Sequence, residues 1–169
     1  MVKYNLYFVP HFEDRKKISP LRAKTCKQCH STQALQTPVH MSFTSGMSIK
    51  NYSLFEKELR TLCKKERRQI LIAKKHTDVL PHRFWSGIHI KETKKLKEFQ
   101  KKLEKLLQKH AKVKKKINFI PHITLGFPIK VGNLKPVKSP IEKMVFDRIT
   151  IAKKLPGGKY KIYKHIKLQ

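Results

Sequence analysis

Pro121-His122-Ile123-Thr124-Leu125 and Pro38-Val39-His40-Met41-Ser42-Phe43 carry one pattern twice: histidine, apolar residue, hydroxyl residue, apolar residue. Alternation of this kind is a strand signal, because successive side chains of an extended chain point to opposite faces. From Val39 to Thr44 the apolar set Val39, Met41 and Phe43 falls on one face, and His40, Ser42 and Thr44 fall on the other. In the run from Ile117 to Phe127, His122 and Thr124 share a face opposite Ile123, Leu125 and Phe127. The apolar faces are expected to point to the core.

Outward from these two strings the order of elements is regular. Tyr4, Leu6 and Phe8 alternate with Asn5, Tyr7 and Val9 in a first strand from Lys3 to Val9, closed by Pro10. His11 to Pro38 is polar, basic and irregular, and reads as a long connection with room for a short helix. Gly46 is expected to break the first histidine strand, and Ser53 with Glu56 has the form of a capping box. Phe55, Leu59, Leu62 and Cys63 then give a helix one buried stripe. Gln69 to Ala73 reads as a strand, followed by a loop with Pro81 and a strand from Phe84 to Ile90. Leu96, Phe99, Leu103, Leu106 and Leu107 mark a second amphipathic helix with a Lys and Glu outer face. Met144 to Ala152 and Tyr160 to Leu168 are strand-like runs joined across Pro156-Gly157-Gly158, a hairpin signal. The order is thus strand with histidine string, helix, strand, then strand, helix, strand with histidine string. It predicts an α+β fold of two pseudo-symmetric β-α-β lobes with antiparallel sheets flanking a cleft, in one bilobal domain over residues 1–169.

Composition bounds the function. The 169 residues hold 40 Lys and Arg against 11 Asp and Glu, a formal charge of +29, with 39% hydrophobic residues. Such self-repulsion is usually tolerated because a polyanion is the partner, which points to nucleic acid, although a lysine-biased proteome also produces it. No apolar run is long enough to span a bilayer, and Met1-Val2-Lys3-Tyr4 leads straight into a strand pattern without a signal-peptide core. A cytoplasmic location, no membrane partner and a monomer are expected. Three cysteines do not make a disulfide framework. Cys26-Lys27-Gln28-Cys29-His30 matches the C-x-x-C-H spacing of haem attachment and could contribute to a zinc site, but one further cysteine, Cys63, supplies no second ligand pair. These cysteines read as incidental to a basic loop, and neither a metal nor a cofactor is expected.

Residues two apart on a strand lie on one face about 6.5 Å apart, so each string directs an imidazole and a hydroxyl toward one point. Imidazole titrates near pH 6.5, so one ring can take a proton from an attacking hydroxyl or water while the other delivers one to a leaving oxygen. Ser42 and Thr124 would donate to the non-bridging oxygens of a phosphodiester, where charge builds. Neither string contains a carboxylate. His40 and His122 are therefore the catalytic candidates, and Ser42 and Thr124 the phosphate-binding ones. A bell-shaped pH dependence follows from one charged and one neutral ring.

The paired strings resemble those of the 2H phosphoesterase superfamily, in particular its 2'-5' RNA ligase-like and 2',3'-cyclic phosphodiesterase members. The likeness extends over nearly the whole chain: the opening strand, the bilobal order, Pro-His-Ile-Thr-Leu-Gly at 121–126, and the closing Gly-Gly-Lys-Tyr hairpin at 157–160. It implies a metal-independent RNA phosphoesterase that acts on terminal 2',3'-cyclic phosphates or 2'-5' linkages, with the motif histidines as acid and base and His122 the favoured activator of water. A cyclic phosphate exists only where RNA supplies a 2'-hydroxyl. At the position where the ligase-like branch commonly follows the second string with arginine, this chain has Phe127. Tyr160, in the closing hairpin, and Trp85 or Phe84, as stacking platforms, are secondary substrate-binding candidates. Arg83 and Lys130 flank strand ends and could meet phosphate. The alternative to an enzyme is an RNA-binding protein that keeps the 2H fold without its chemistry.

Overall fold

The computed structural model describes residues 2–80, 85–112, 119–127, 134–156 and 159–169. Its elements are β1 (Tyr4–Pro10), α1 (Phe12–Gln28), a 3-10 turn (Gln33–Gln36), β2 (Met41–Ile49), α2 (Tyr52–Lys64), β3 (Gln69–Ile72), β4 (Asp78–Leu80), β5 (Trp85–His89), α3 (Lys94–His110), β6 (Ala111–Lys112), β7 (His122–Gly126), β8 (Lys143–Lys154) and β9 (Tyr160–Lys167). The architecture is α+β, as the order of elements predicted, and every strand pairing is antiparallel.

The main strand order is β3-β8-β1-β2-β7-β5-β4, with β9 also on β8 and β6 also on β2. The long β8 takes β3 along its first residues, up to Gln69↔Phe146, and β9 from Arg148↔Lys167 onward. Two half-sheets result, one around β8, β1 and β2, the other made of β7, β5 and β4. Among the described residues they are joined through one register pair, Met41↔Ile123. Each histidine string therefore lies on the strand that its half-sheet contributes to this seam.

The core covers one face of the sheet. Phe55, Leu59 and Cys63 of α2 and Leu96, Phe99, Leu103 and Leu107 of α3 form helical stripes that meet Leu6, Phe8, Met41, Phe43, Ile123, Ile149 and Ile151. Each such side chain contributes about 1.5–3 kcal/mol when removed from water. On the opposite face Tyr7, Val9 and Ala152 form a smaller apolar floor with Tyr160 and Ile162 against it. That face carries the histidines.

Three elements differ from the sequence reading. His11 to Pro38 is not mainly an irregular connection, because α1 occupies 17 of its residues. Its buried residues Ile18, Arg22, Thr25 and Cys26 fall on one helical face, but three of the four are not the aliphatic residues a pattern reading looks for. Pro20 lies inside the helix and lacks an N–H, a loss that packing of α1 against β7 outweighs. Gly46 does not end the strand. β2 runs on to Ile49, and the step from Leu6↔Thr44 to Tyr4↔Met47 places a bulge where Gly46 takes φ +66°, a conformation glycine adopts without strain. The cap of α2 is Asn51, whose side chain accepts from the Leu54 N–H at 3.1 Å, so Ser53 and Glu56 lie inside the helix rather than at its entrance. Pro81, Arg83, Phe84, Lys130 and the Gly157-Gly158 turn lie outside the described residues, as do Ile117 and Asn118 of the strand expected from Ile117 to Phe127.

Candidate active site

The seam sets the geometry of the two strings. With Met41 opposite Ile123, the antiparallel register carried one residue either way sets His40 beside Thr124 and Ser42 beside His122, all on one face. Both rings are held in the same manner. His40 Nδ1 lies 2.7 Å from the Pro38 carbonyl and His122 Nδ1 lies 2.7 Å from the Ile120 carbonyl, in each case two residues back. A carbonyl can only accept, so each Nδ1 carries its hydrogen and each Nε2 is the nitrogen left to vary in protonation. Each ring also lies against an aromatic from the next strand outward. Tyr7 of β1 meets His40 at 3.8 Å between centroids and 32°, and Trp85 of β5 stacks on His122 at 3.9 Å and 12°.

Gly87 makes the second stack possible. It pairs with Thr124, and a Cβ there would lie 2.5 Å from the Ile123 carbonyl oxygen and 2.8 Å from the Trp85 ring. Only a residue without a side chain lets the indole fold back across β5 onto His122. Trp85 is thus a buried packing partner of a motif histidine.

His40, Ser42 and Thr124 open into a cavity of about 330 Å³. Asn5 and Tyr7 of β1 form its floor, Tyr160 at the start of β9 closes one side, and Arg22 of α1 with the turn residues Gln33 and Gln36 closes another. Phe127 stands at the end of β7. The sequence candidates His40, Ser42, Thr124 and Tyr160 therefore share one wall system. His122 sits two residues before Thr124 on the same strand face but is not on the cavity wall itself. Among the described residues the wall contains no Asp, Glu or Cys. A larger groove, about 580 Å³, runs between α2 and α3 and is lined by lysines and leucines with Glu58 and Thr61 and no described histidine, so it is separate from this chemistry.

Electrostatics divide the site. Burial pushes His40 down to about 4, and the positive charges of Arg22 and His122 push the same way against the hydrogen bond to Pro38. The ring is neutral at pH 7, with Nε2 accepting from the Ser42 hydroxyl at 3.0 Å. Burial also raises the Tyr7 hydroxyl, which accepts a hydrogen bond from Asn5 Nδ2 at 2.7 Å. Asn5, Tyr7 and Arg22 were not site candidates from the sequence. The first two were legible in principle, since they share a strand face with Val9. Arg22 was hidden among forty basic residues.

The C-x-x-C-H string is split by the fold. Cys26 and Cys29 are buried at the end of α1, Cys26 donates to the Leu125 carbonyl at 3.2 Å, and burial pushes both thiols up. The Cys29 sulfur lies against Gly126, where a Cβ would come within 2.9 Å of it. His30 is exposed, at φ +50°. No three of the described His, Cys, Asp and Glu residues are grouped as a metal ion would need.

No protein-family model matches the sequence, and no curated protein does. The fold has close counterparts among solved structures. LigT of E. coli complexed with 3'-AMP superposes with a TM-score of 0.65 at 15% identity, over 99% of this chain and 98% of that one. The same protein complexed with NADP+ gives 0.68 at 15% identity and the same coverage. TT0787 of Thermus thermophilus gives 0.61 at 14% identity, over 99% and 98% of the two chains. At such identities the likeness is one of fold, and it extends from one end of the chain to the other. The chain has the fold of the 2H phosphoesterases, with its two histidine strings side by side at the seam of the two half-sheets.

Proposed function

We propose that this protein is a metal-independent RNA phosphoesterase that opens terminal 2',3'-cyclic phosphates, or acts on 2'-5' linkages, with His40 and His122 as its acid–base pair. The observation that carries this reading is the matched anchoring of the two rings. Each donates from Nδ1 to the carbonyl two residues back, on strands that meet at Met41↔Ile123, so both rings share one face with Ser42 and Thr124. Among the described residues the cavity wall adds amide, hydroxyl and guanidinium groups and no carboxylate, a set suited to an anion.

His40, neutral at pH 7, takes a proton at Nε2 from a water molecule as that water's oxygen bonds to phosphorus. The bond from phosphorus to one ribose oxygen breaks, and protonated His122 gives its proton from Nε2 to that oxygen. Exchange with solvent then returns each ring to its starting state. As the water takes its place on Nε2 the Ser42 hydroxyl turns away from the ring, and Ser42 and Thr124 donate to the non-bridging oxygens as their charge rises. The resemblance favoured His122 as the activator of water, whereas the His40 ring, neutral at pH 7 and so able to accept a proton there, favours the reverse assignment. In the ligating direction the roles exchange.

Two further observations support an RNA terminus as substrate. The charge of +29 suits a polyanion. LigT, of the same fold, has been crystallised with 3'-AMP, a ribonucleotide whose phosphate is borne on a ribose hydroxyl. The decisive experiment incubates a short RNA bearing a terminal 2',3'-cyclic phosphate with the protein in the presence of a chelator. The ring should open, and His40→Ala or His122→Ala should slow opening by about a hundredfold or more while RNA binding persists. Binding without turnover in the wild type, or equal turnover in His122→Ala, would sink the enzymatic reading.

A further inference from the structure

Forty lysines and arginines occur in the chain, yet Arg22 is the only one among the described residues around the His40 cavity. It is also buried, at 5% exposure, although charged side chains seldom leave water without a partner. Its Nη1 donates to the Thr37 carbonyl at 2.9 Å, and Nη2 donates to the Ala34 carbonyl and the Thr37 hydroxyl. Nε, buried as well, has no hydrogen-bond partner. Among the described residues no carboxylate offsets the charge, and the one titratable group that favours it is the Cys26 thiol. Neutral carbonyls explain how α1 is tied to the following turn. They do not compensate the desolvation of a full positive charge, which an anion in the cavity would.

We propose that Arg22 is the anion contact of this site, its guanidinium holding the phosphoryl group on which His40 and His122 act. The identity of that group rests on the phosphoesterase reading, whereas the preference for an anion rests on the surroundings of Arg22 alone. The contact comes from α1 rather than from the end of β7, where the uncharged Phe127 stands. With Nη1 and Nη2 tied to the turn, the Nε–H is the donor left to meet a non-bridging oxygen, and the guanidinium charge stabilises the charge that builds there. It also couples binding to basicity. The Arg22 charge helps hold His40 low, so a bound phosphoryl group, by screening that charge, makes the ring a better base when there is something to act on.

Inorganic phosphate is the probe and adenosine the neutral control, read by calorimetry and by the fluorescence of Trp85, the single tryptophan and the stacking partner of His122. Arg22→Gln should weaken phosphate by about tenfold or more and Arg22→Lys by about threefold, with adenosine unchanged, whereas a Gln variant within about twofold of wild type overturns the proposal. If Arg22→Gln does not fold, the wild-type chain decides: the Nε–H resonance of Arg22 moves as phosphate is added, and a stationary resonance overturns the proposal. His122-dependent turnover with phosphate binding indifferent to Arg22 removes this contact and leaves the phosphoesterase reading. Arg22-dependent phosphate binding without turnover removes that reading and leaves the contact.

Discussion

His40 has one ring nitrogen on the Pro38 carbonyl and the other against Ser42, and burial brings its protonation down from the ordinary 6.5 to about 4. Two measurable effects follow. As the base, it places the acidic limb of the kcat/KM profile near pH 4, and a limb near 6.5 would assign the base elsewhere. Stability changes over the same range. Between pH 6.5 and 4 the unfolded chain binds a proton at this residue and the folded chain does not, so acidification through that window destabilises the fold. The loss is at most about 3 kcal/mol from His40. His165, lowered by its own burial and by Arg148 and Arg15, adds in the same direction. Denaturant titrations at pH 7 and pH 4 should show a smaller difference for His40→Gln than for the wild type. The sequence made His40 and His122 visible because their partners, the hydroxyls two residues on, are local. Tyr7 and Arg22 reach the same place only through tertiary neighbours, and spacing along the chain carries no mark of that.

At the scale of the element, amphipathicity decided what could be read. The stripes Phe55, Leu59 and Cys63 in α2, and Leu96, Phe99, Leu103 and Leu107 in α3, face the core as their periodicity required. α1 escaped because its buried face is built from Arg22, Thr25 and Cys26, chosen for contacts with the turn and with β7 rather than for hydrophobicity. The short β4 escaped as well, since three residues hold too little alternation to be recognised. The entrance to α2 separates two capping assignments by experiment. Asn51→Ala removes the bond to the Leu54 N–H and should cost about 1 kcal/mol in chemical denaturation, whereas Ser53→Ala should cost a few tenths at most. The opposite ranking would restore the Ser53–Glu56 capping box.

At the scale of the molecule, charge and topology set the terms. No helix among the described residues is long and apolar enough to cross a membrane. If the net charge of +29 serves RNA, affinity for an RNA oligomer should fall steeply and linearly on a log–log plot against salt, by about a thousandfold or more between 50 and 200 mM if six or more phosphates are engaged. A flat dependence would mean that the lysines meet something else. The α+β plan was legible because both histidine strings recur with a helix and a strand beside them. The joining of the half-sheets through Met41↔Ile123 was not, since register between distant strands depends on the packing of both. The position of β1 has a consequence for how the protein is born. Its pairing with β2, through Tyr7↔Ser42, closes early in synthesis, but its other flank pairs with β8, as far along as Tyr4↔Lys153. During synthesis the residues of the Tyr7–His40 stack are therefore complete before those of the Trp85–His122 stack, and the central strand lacks one of its two neighbours until β8 has been made. The wall that Tyr160 supplies is the last part of the cavity to be laid, so a truncated chain would hold both histidines before it had a finished place to use them.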